Sequence, residues 1–386
     1  MTMMKILILN YEYPPIGGGA APVSKDLASE LVKAGNAVAV LTMKYGDMPE
    51  ESNEDGVMVY RLPCLRKSKS SCSPLEQLSY LYSVRKFMKS HVELQKYDVC
   101  HAHFVVPTAE AARYIKKTYG IPYIITAHGS DVAGHNNKTS VMIMHRLLRS
   151  SWRKIVSDSF CTVSPSVYLM ELMKSNFPDG RYRYIPNGVD YQLFESLNDR
   201  SKKEKSILVM GRIQRFKNVQ FVIRAFSKID GFNDWHINIV GDGPYRNELE
   251  KIISDTGVSD RVKMAGWLDS KSEQLLEYLR NASIYVSASQ FENCPMSVIE
   301  STVAGCYPLV SDIPAHRQLL PEKHLFSLSD ETELINKLKE RMSYETGAFS
   351  LDMKRFNWKE ITAQYEDVMH EAINACNPTN TAVIEK

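Results

Sequence analysis

Apolar positions along this chain gather in short continuous runs, and amphipathic stretches separate them. Residues 5–10 (KILILN) form such a run ending in a polar turn, the pattern of a strand buried on both faces. A loop with Gly17, Gly18 and Gly19 follows, and then Val23, Leu27 and Leu31 recur at helical spacing through 23–34, with Gly35 as the stop. Residues 37–41 read as a second strand. Parallel neighbours need a crossover between them, and this strand–helix–strand unit supplies one. The alternation predicts further strands at 57–62, 99–103, 123–127, 161–164 and 182–185. Helices are predicted at 75–91, 107–119 and 140–155, with another opened by Pro165.

The rhythm pauses at Pro186-Asn187-Gly188-Val189-Asp190 and at the polar run 198–205 (NDRSKKEK), which reads as a solvated linker. It then restarts, with strands at 207–210, 237–240, 262–265, 284–287 and 307–310 and helices at 219–228, 245–253, 271–278 and 296–303. Two successive alternations predict an α/β chain of two doubly wound domains, 1–190 and 191–356. A last helix at about 357–376 carries Trp358, Ile361, Tyr365, Val368 and Met369 on one stripe, and 377–386 reads as a flexible tail.

Composition narrows the function classes. The 386 residues suit two domains, and 47 Lys+Arg against 45 Asp+Glu leave a net charge of +2, which argues against a nucleic-acid coat. Seven cysteines, an odd number with no CxxC pair, predict a reduced protein of the cytoplasm without a disulfide framework or zinc knuckle. No apolar run approaches the ~18 residues of a membrane span, and the first run is too short for a signal-peptide core.

Ligands of doubly wound sheets bind beyond the carboxyl ends of the strands, so the residues that follow strands carry the candidate chemistry. The loop at Gly17–Gly19 fails the dinucleotide fingerprint, because Pro22 stands at the third glycine position and Leu41-Thr42-Met43 offers no acid after the second strand. Its small residues suit close approach of a substrate to a helix start. No Walker A motif occurs. In the second domain Gly211-Arg212 and Lys217 (GRIQRFKN) surround a strand-to-helix loop, and a planar guanidinium beside an ammonium suits a diphosphate. Gly241 and Gly243 permit a tight turn near a base or sugar. Glu292 and Glu300 flank a helix start at Pro295, where backbone N–H groups suit phosphate and the two acids suit hydroxyls. His101 and His103 share one face of a strand and could hold a metal, but no third ligand accompanies them. His128 follows a strand end.

The chain resembles glycosyltransferase family 4, with the GT-B fold of two facing Rossmann-like domains. The resemblance is carried by YPPIGGG (13–19), HAHF (101–104), TAHGSD (126–131), IPNGVD (185–190), GRIQRFKN (211–218), VGDGP (240–244) and FENCPMSVIE (291–300), the last matching an E-x7-E pattern. It implies that Arg212 and Lys217 bind the donor diphosphate, Glu300 the ribose and Glu292 the transferred sugar. Asn293, Cys294, Pro295, Met296 and Ser297 would surround sugar and phosphate. Gly18, Gly19, Gly211, Gly241 and Gly243 would line the donor site, and His128 would sit near the transferred sugar. His103 and Asp131 fall on the acceptor side, and the last helix would cross back to the first domain. Asn293, Cys294 and Pro295 depart from the commoner Gly-Phe-Gly, which leaves the donor sugar open.

The expected reaction is retaining transfer of a hexosyl group from a UDP- or GDP-sugar to a glycan or lipid-linked hydroxyl. No D-x-D triplet is present to carry a metal, so cations and the helix start would stabilise the leaving group and no cofactor is implied. Alternatives are an epimerase or phosphorylase on the same fold, or a silent nucleotide-sugar-binding module. Arg61, Arg66, Lys67 and Lys69 form a basic stretch, either a solvated loop or a peripheral contact with anionic membrane.

Overall fold

A computed structural model describes the chain apart from residues 1–2, 70, 130–131, 133–138, 200, 202, 270, 345–348 and 377–386, and apart from the side chains of 139–147. The tail and Asp131 lie outside the described residues. The chain divides into two compact units, one of Met1–Gly188 with Trp358–Lys386 and one of Val189–Asn357.

In the first unit the strands are β1 (Lys5–Leu9), β2 (Ala37–Met43), β3 (Glu51–Glu54), β4 (Val57–Leu62), β5 (Val99–His103), β6 (Tyr123–Thr126), β7 (Cys161–Ser164) and β8 (Tyr182–Tyr184). They lie in the order β3-β4-β2-β1-β5-β6-β7-β8. All neighbours are parallel except β3 and β4, an antiparallel pair turned at Asp55-Gly56. The order in which strands are added to the sheet reverses between β1 and β5, so the ligand crevice of this unit opens beyond Leu9 and His103.

The second unit has β9 (Glu204–Met210), β10 (His236–Val240), β11 (Val262–Gly266), β12 (Ala282–Ser287), β13 (Tyr307–Ser311) and β14 (Leu325–Phe326), ordered β11-β10-β9-β12-β13-β14 and all parallel. Its reversal falls between β9 and β12, beyond Met210 and Ser287.

The last helix, Trp358–Cys376, buries Ile361, Tyr365, Val368, Met369 and Ala372 with Ile6, Ile8, Leu27, Leu31 and Val38 in the first unit's core. Gly188 leaves room for it, since a side chain there would strike the Trp358 ring. Asn36 Nδ2 donates to Glu366 Oε1 at 2.7 Å, fastening the helix.

Several expectations change. Pro165 does not open a helix; Ser166 caps Val167–Asn176 by accepting from Leu169 N at 3.2 Å. Pro107 lies in an irregular turn at Val105–Ala109, and the α-helix begins at Glu110. The run 198–205 is not a solvated linker. Glu204 and Lys205 begin β9, and Lys203 is buried, its Nζ donating to Leu279 O at 3.1 Å and Ala304 O at 2.8 Å. Burial lowers its pKa.

The basic stretch 61–69 is also not one surface patch. Arg61 is 4 % exposed, pairs with Glu54, and donates to Ser52 Oγ at 2.7 Å. Arg66 turns inward onto the carbonyls of Ser68 (2.8 Å) and Lys69 (3.3 Å). Lys67 and Lys69 stay exposed. All seven cysteines are free thiols. Among the described residues no helix is long and apolar enough to cross a membrane.

Candidate functional site

The second unit gathers its candidates at the β9/β12 crevice. Gly211, Arg212 and Lys217 line one wall of a small cleft there, and Val286–Ser289 line the other. Lys217 belongs to a single 3-10 turn, Arg215–Lys217, held to the opposite loop by Gln290 N donating to Phe216 O at 2.9 Å. Phe216 stacks on Phe291, ring centroids 4.3 Å apart.

The turn brings Lys217 Nζ to 2.5 Å from Glu292 Oε1, which also accepts from Ser289 Oγ at 2.7 Å. Lys217 and Glu292, read separately as a phosphate cation and a sugar acceptor, thus form a mostly buried ion pair. An ammonium has three donors, and Glu292 takes one, so Lys217 keeps capacity for an anion. Pro295 stands at the start of Met296–Val303, which has no side-chain cap. Ser297 is occupied from below, its Oγ accepting from Tyr285 OH at 2.8 Å. Burial, with the charges of Glu292 and Glu300 adding, holds the Tyr285 phenol well above its usual pKa, so it remains a proton donor. Asn293, Cys294 and Met296 line the same turn, where Cys294 Sγ lies 3.8 Å from Met296 Sδ. Glu300, half-buried, sits one turn further along the helix.

Two glycines of this unit meet a packing need of their own. Gly241 has a φ of +139°, and a side chain there would fall on the Gly211 carbonyl; at Gly243 it would fall on the Ile213 carbonyl. Gly211 N donates to Val240 O at 2.9 Å and Ile213 N to Asp242 O at 2.9 Å. Two strand-end loops pack backbone to backbone there, and that packing by itself requires glycine at 241 and 243.

In the first unit Gly17 has φ +103° and packs on Glu12, whose Oε2 accepts from Gly18 N at 3.1 Å. A carboxylate therefore already occupies the loop amide read as a substrate approach. Open space surrounds the missing side chain of Gly19, which precedes the helix Ala20–Lys33.

The histidines form a chain at the ends of β5 and β6. Tyr365 OH and Thr126 Oγ1 lie 3.1 Å apart, and His101 Nε2 is 2.8 Å from Thr126 Oγ1. The His101 ring lies 4.3 Å from that of His103, and His103 Nδ1 is 3.0 Å from His128 Nε2. His103 is fully buried and so cannot line a crevice itself; it acts behind half-buried His128. Burial lowers the pKa of His101 and His128 to about 3 and that of His103 well below its usual value, so all three are neutral imidazoles at pH 7. Among the described residues no three His, Cys, Asp or Glu side chains come together as a metal site. Sequence reasoning missed Glu12, Thr126, Tyr285, Ser289 and Tyr365. The signal for Ser289 was its place just past a strand at the reversal point.

Two doubly wound, largely parallel sheets, with cations and carboxylates at the reversal point of the second, are the architecture of the GT-B fold, and the family models make the chain a glycosyltransferase. The family model described as Glycosyltransferase Family 4 matches residues 17–193, and that described as Glycosyl transferases group 1 matches 194–346. The chain belongs to the family 4 glycosyltransferases. It is 29% identical over 333 residues to an uncharacterised glycosyltransferase of Methanocaldococcus jannaschii, covering 80% of this chain and 81% of that one. It is 24% identical to the UDP-Gal:alpha-D-GlcNAc-diphosphoundecaprenol alpha-1,3-galactosyltransferase of Escherichia coli, covering 87% and 88%. The sucrose-phosphate synthase of Thermosynechococcus elongatus superposes with a TM-score of 0.77 at 19% identity, covering 96% of this chain and 100% of that chain.

Proposed function

We propose that the protein transfers a hexosyl group from a UDP- or GDP-sugar to a hydroxyl of a glycan or lipid-linked acceptor, with retention of configuration and without a metal ion. The observation that carries this reading is the β9/β12 crevice, where Arg212 and Lys217 share one cleft with strand-end serines and Glu292 pairs with Lys217. The lipid-linked acceptor is suggested by the Escherichia coli relative, whose name gives a diphosphoundecaprenol acceptor.

In this reading the bond between the sugar's C1 and the β-phosphate oxygen breaks while C1 bonds to the acceptor oxygen. The acceptor's proton passes to the departing phosphate, on the same face of the sugar. Negative charge grows on that phosphate, where Arg212, the free donors of Lys217 and the N-terminus of Met296–Val303 meet it. Glu292 orients Lys217 and accepts from a sugar hydroxyl, and Glu300 accepts from the ribose. His128, a neutral imidazole backed by His103, is the first unit's candidate partner for a sugar hydroxyl.

The test follows nucleoside diphosphate release from UDP- and GDP-hexoses with and without an added acceptor, before and after chelation. Acceptor-dependent release that survives EDTA is expected, with Lys217→Ala lowering turnover by roughly 10²–10³. Strict Mg²⁺ dependence would overturn metal independence, and release without an acceptor would favour an epimerase or hydrolase. An inverted anomer in the product's NMR spectrum would overturn retention.

A further inference from the structure

The helix Pro74–Ser90 is apolar on two faces, and the fold covers only one. Tyr80, Val84 and Met88 pack into the first unit's core. On the opposite side Leu75, Leu78 and Tyr82, spaced i, i+3, i+7, are 72 %, 60 % and 69 % exposed. Leu65 adds an exposed leucine on the neighbouring segment. The segment around it runs antiparallel beside the helix: Ser83 Oγ donates to Pro63 O (2.5 Å), Leu65 N to Ser79 Oγ (2.9 Å), and Lys67 N to Glu76 Oε1 (2.6 Å). Leu65 is 64 % exposed.

Charge on the same segment has one sign. Residues 63–91 hold six cations (Arg66, Lys67, Lys69, Arg85, Lys86, Lys89) against one acid, Glu76. That acid is buried, and hydrogen bonds from Ser73 and from Lys67 N hold its pKa down to about 2. Lys67 and Lys69 lie toward the N-terminal end of the stripe, and exposed Arg85, Lys86 and Lys89 toward the C-terminal end.

We infer that this face docks the protein on an anionic lipid bilayer. Leucines and a tyrosine enter the headgroup–acyl boundary while the flanking cations meet lipid phosphates. A second copy of the chain fits poorly, because a two-fold contact would set the same cations against each other. This deepens the lipid-linked half of the reading above. It is measured without donor or transfer, so failure of docking and failure of transfer are separate results.

The test is flotation of the full chain with vesicles of phosphatidylcholine alone and of phosphatidylcholine with phosphatidylglycerol. Wild type is expected to float with the anionic vesicles and to be released as salt rises. Leu75→Ser/Leu78→Ser/Tyr82→Ser should lower partitioning about a hundred-fold. Lys86→Glu/Lys89→Glu, which leaves the apolar stripe intact, should lower it by at least roughly fivefold per cation on anionic vesicles only. The inference is overturned if wild type stays unbound, if both variants float like wild type, or if wild type is a dimer in light scattering that the triple variant converts to monomer.

Discussion

Mild acid should destabilise the first unit, and the histidine chain sets the size of the effect. His101 and His128 have pKa values near 3 in the folded protein, against about 6.5 in an unfolded chain. Between these values the unfolded state binds more protons than the folded one, so stability rises with pH and is lost as pH falls below 6.5. Each histidine contributes about 1.4 kcal/mol per pH unit once fully inside that window. From pH 6.5 to 5 this is about 2 kcal/mol each and about 4 kcal/mol for the pair, with His103 adding in the same direction. Domain stabilities are about 5–15 kcal/mol, so the loss is large. Unpaired carboxylates titrate mainly below pH 5, and His101→Gln separates this histidine chain from His316 and His324 of the second unit, whose pKa values burial also lowers. Urea unfolding at pH 7, 6 and 5, followed by circular dichroism, measures the change. His101→Gln keeps a hydrogen-bonding amide for Thr126 but takes up no proton, so its loss between pH 7 and 5 should be about 2 kcal/mol smaller. Wild-type stability that does not change from pH 7 to 5, or a His101→Gln variant that falls as steeply as wild type, would refute the reasoning.

Two further outcomes rest on buried contacts in the second unit. Lys203→Met keeps the aliphatic stem but strands the carbonyls of Leu279 and Ala304, and should cost about 2–4 kcal/mol in chemical denaturation. Gly241→Ala places a methyl group against the Gly211 carbonyl at a positive φ, and should lower the melting temperature and weaken donor binding together, as the loop carrying Arg212 is displaced.

The strands 57–62, 99–103 and 161–164 agree with the structure to the residue, because each is a short β-branched or apolar-rich run that starts on an apolar residue, even where Arg61, His101, His103 or Thr162 interrupts it. β3 was not legible, since Glu51–Glu54 (ESNE) has no apolar residue and is an edge strand held by its hairpin. The available signal was Asp55-Gly56, both at positive φ, a two-residue hairpin turn. The helix Glu331–Ser343 carried its own signal in Leu334, Leu338 and Met342 behind the cap Asp330. Lys203 was misread because a run of charges predicts solvent on average, whereas one long stem can reach two buried carbonyls. At the site, residue types were legible and pairings were not. Nothing in the spacing of Lys217 and Glu292, 75 positions apart, shows that they bond to each other. Nor does His103 reveal in sequence that it lies wholly behind His128.

The closing helix also fixes the order in which the molecule can be completed. Val189 N donates to Phe356 O at 2.7 Å, and Val189 bridges to Asn357, so the second unit begins and ends at one point. It is an insertion nested within the first. A ribosome makes residues 1–188 first, yet the core around Ile6, Ile8 and Val38 stays open on one side until Trp358–Cys376 emerges. The half begun first is therefore finished last. A chain cut at Asn357 would keep every strand of both sheets and still leave the first unit with an uncovered apolar wall.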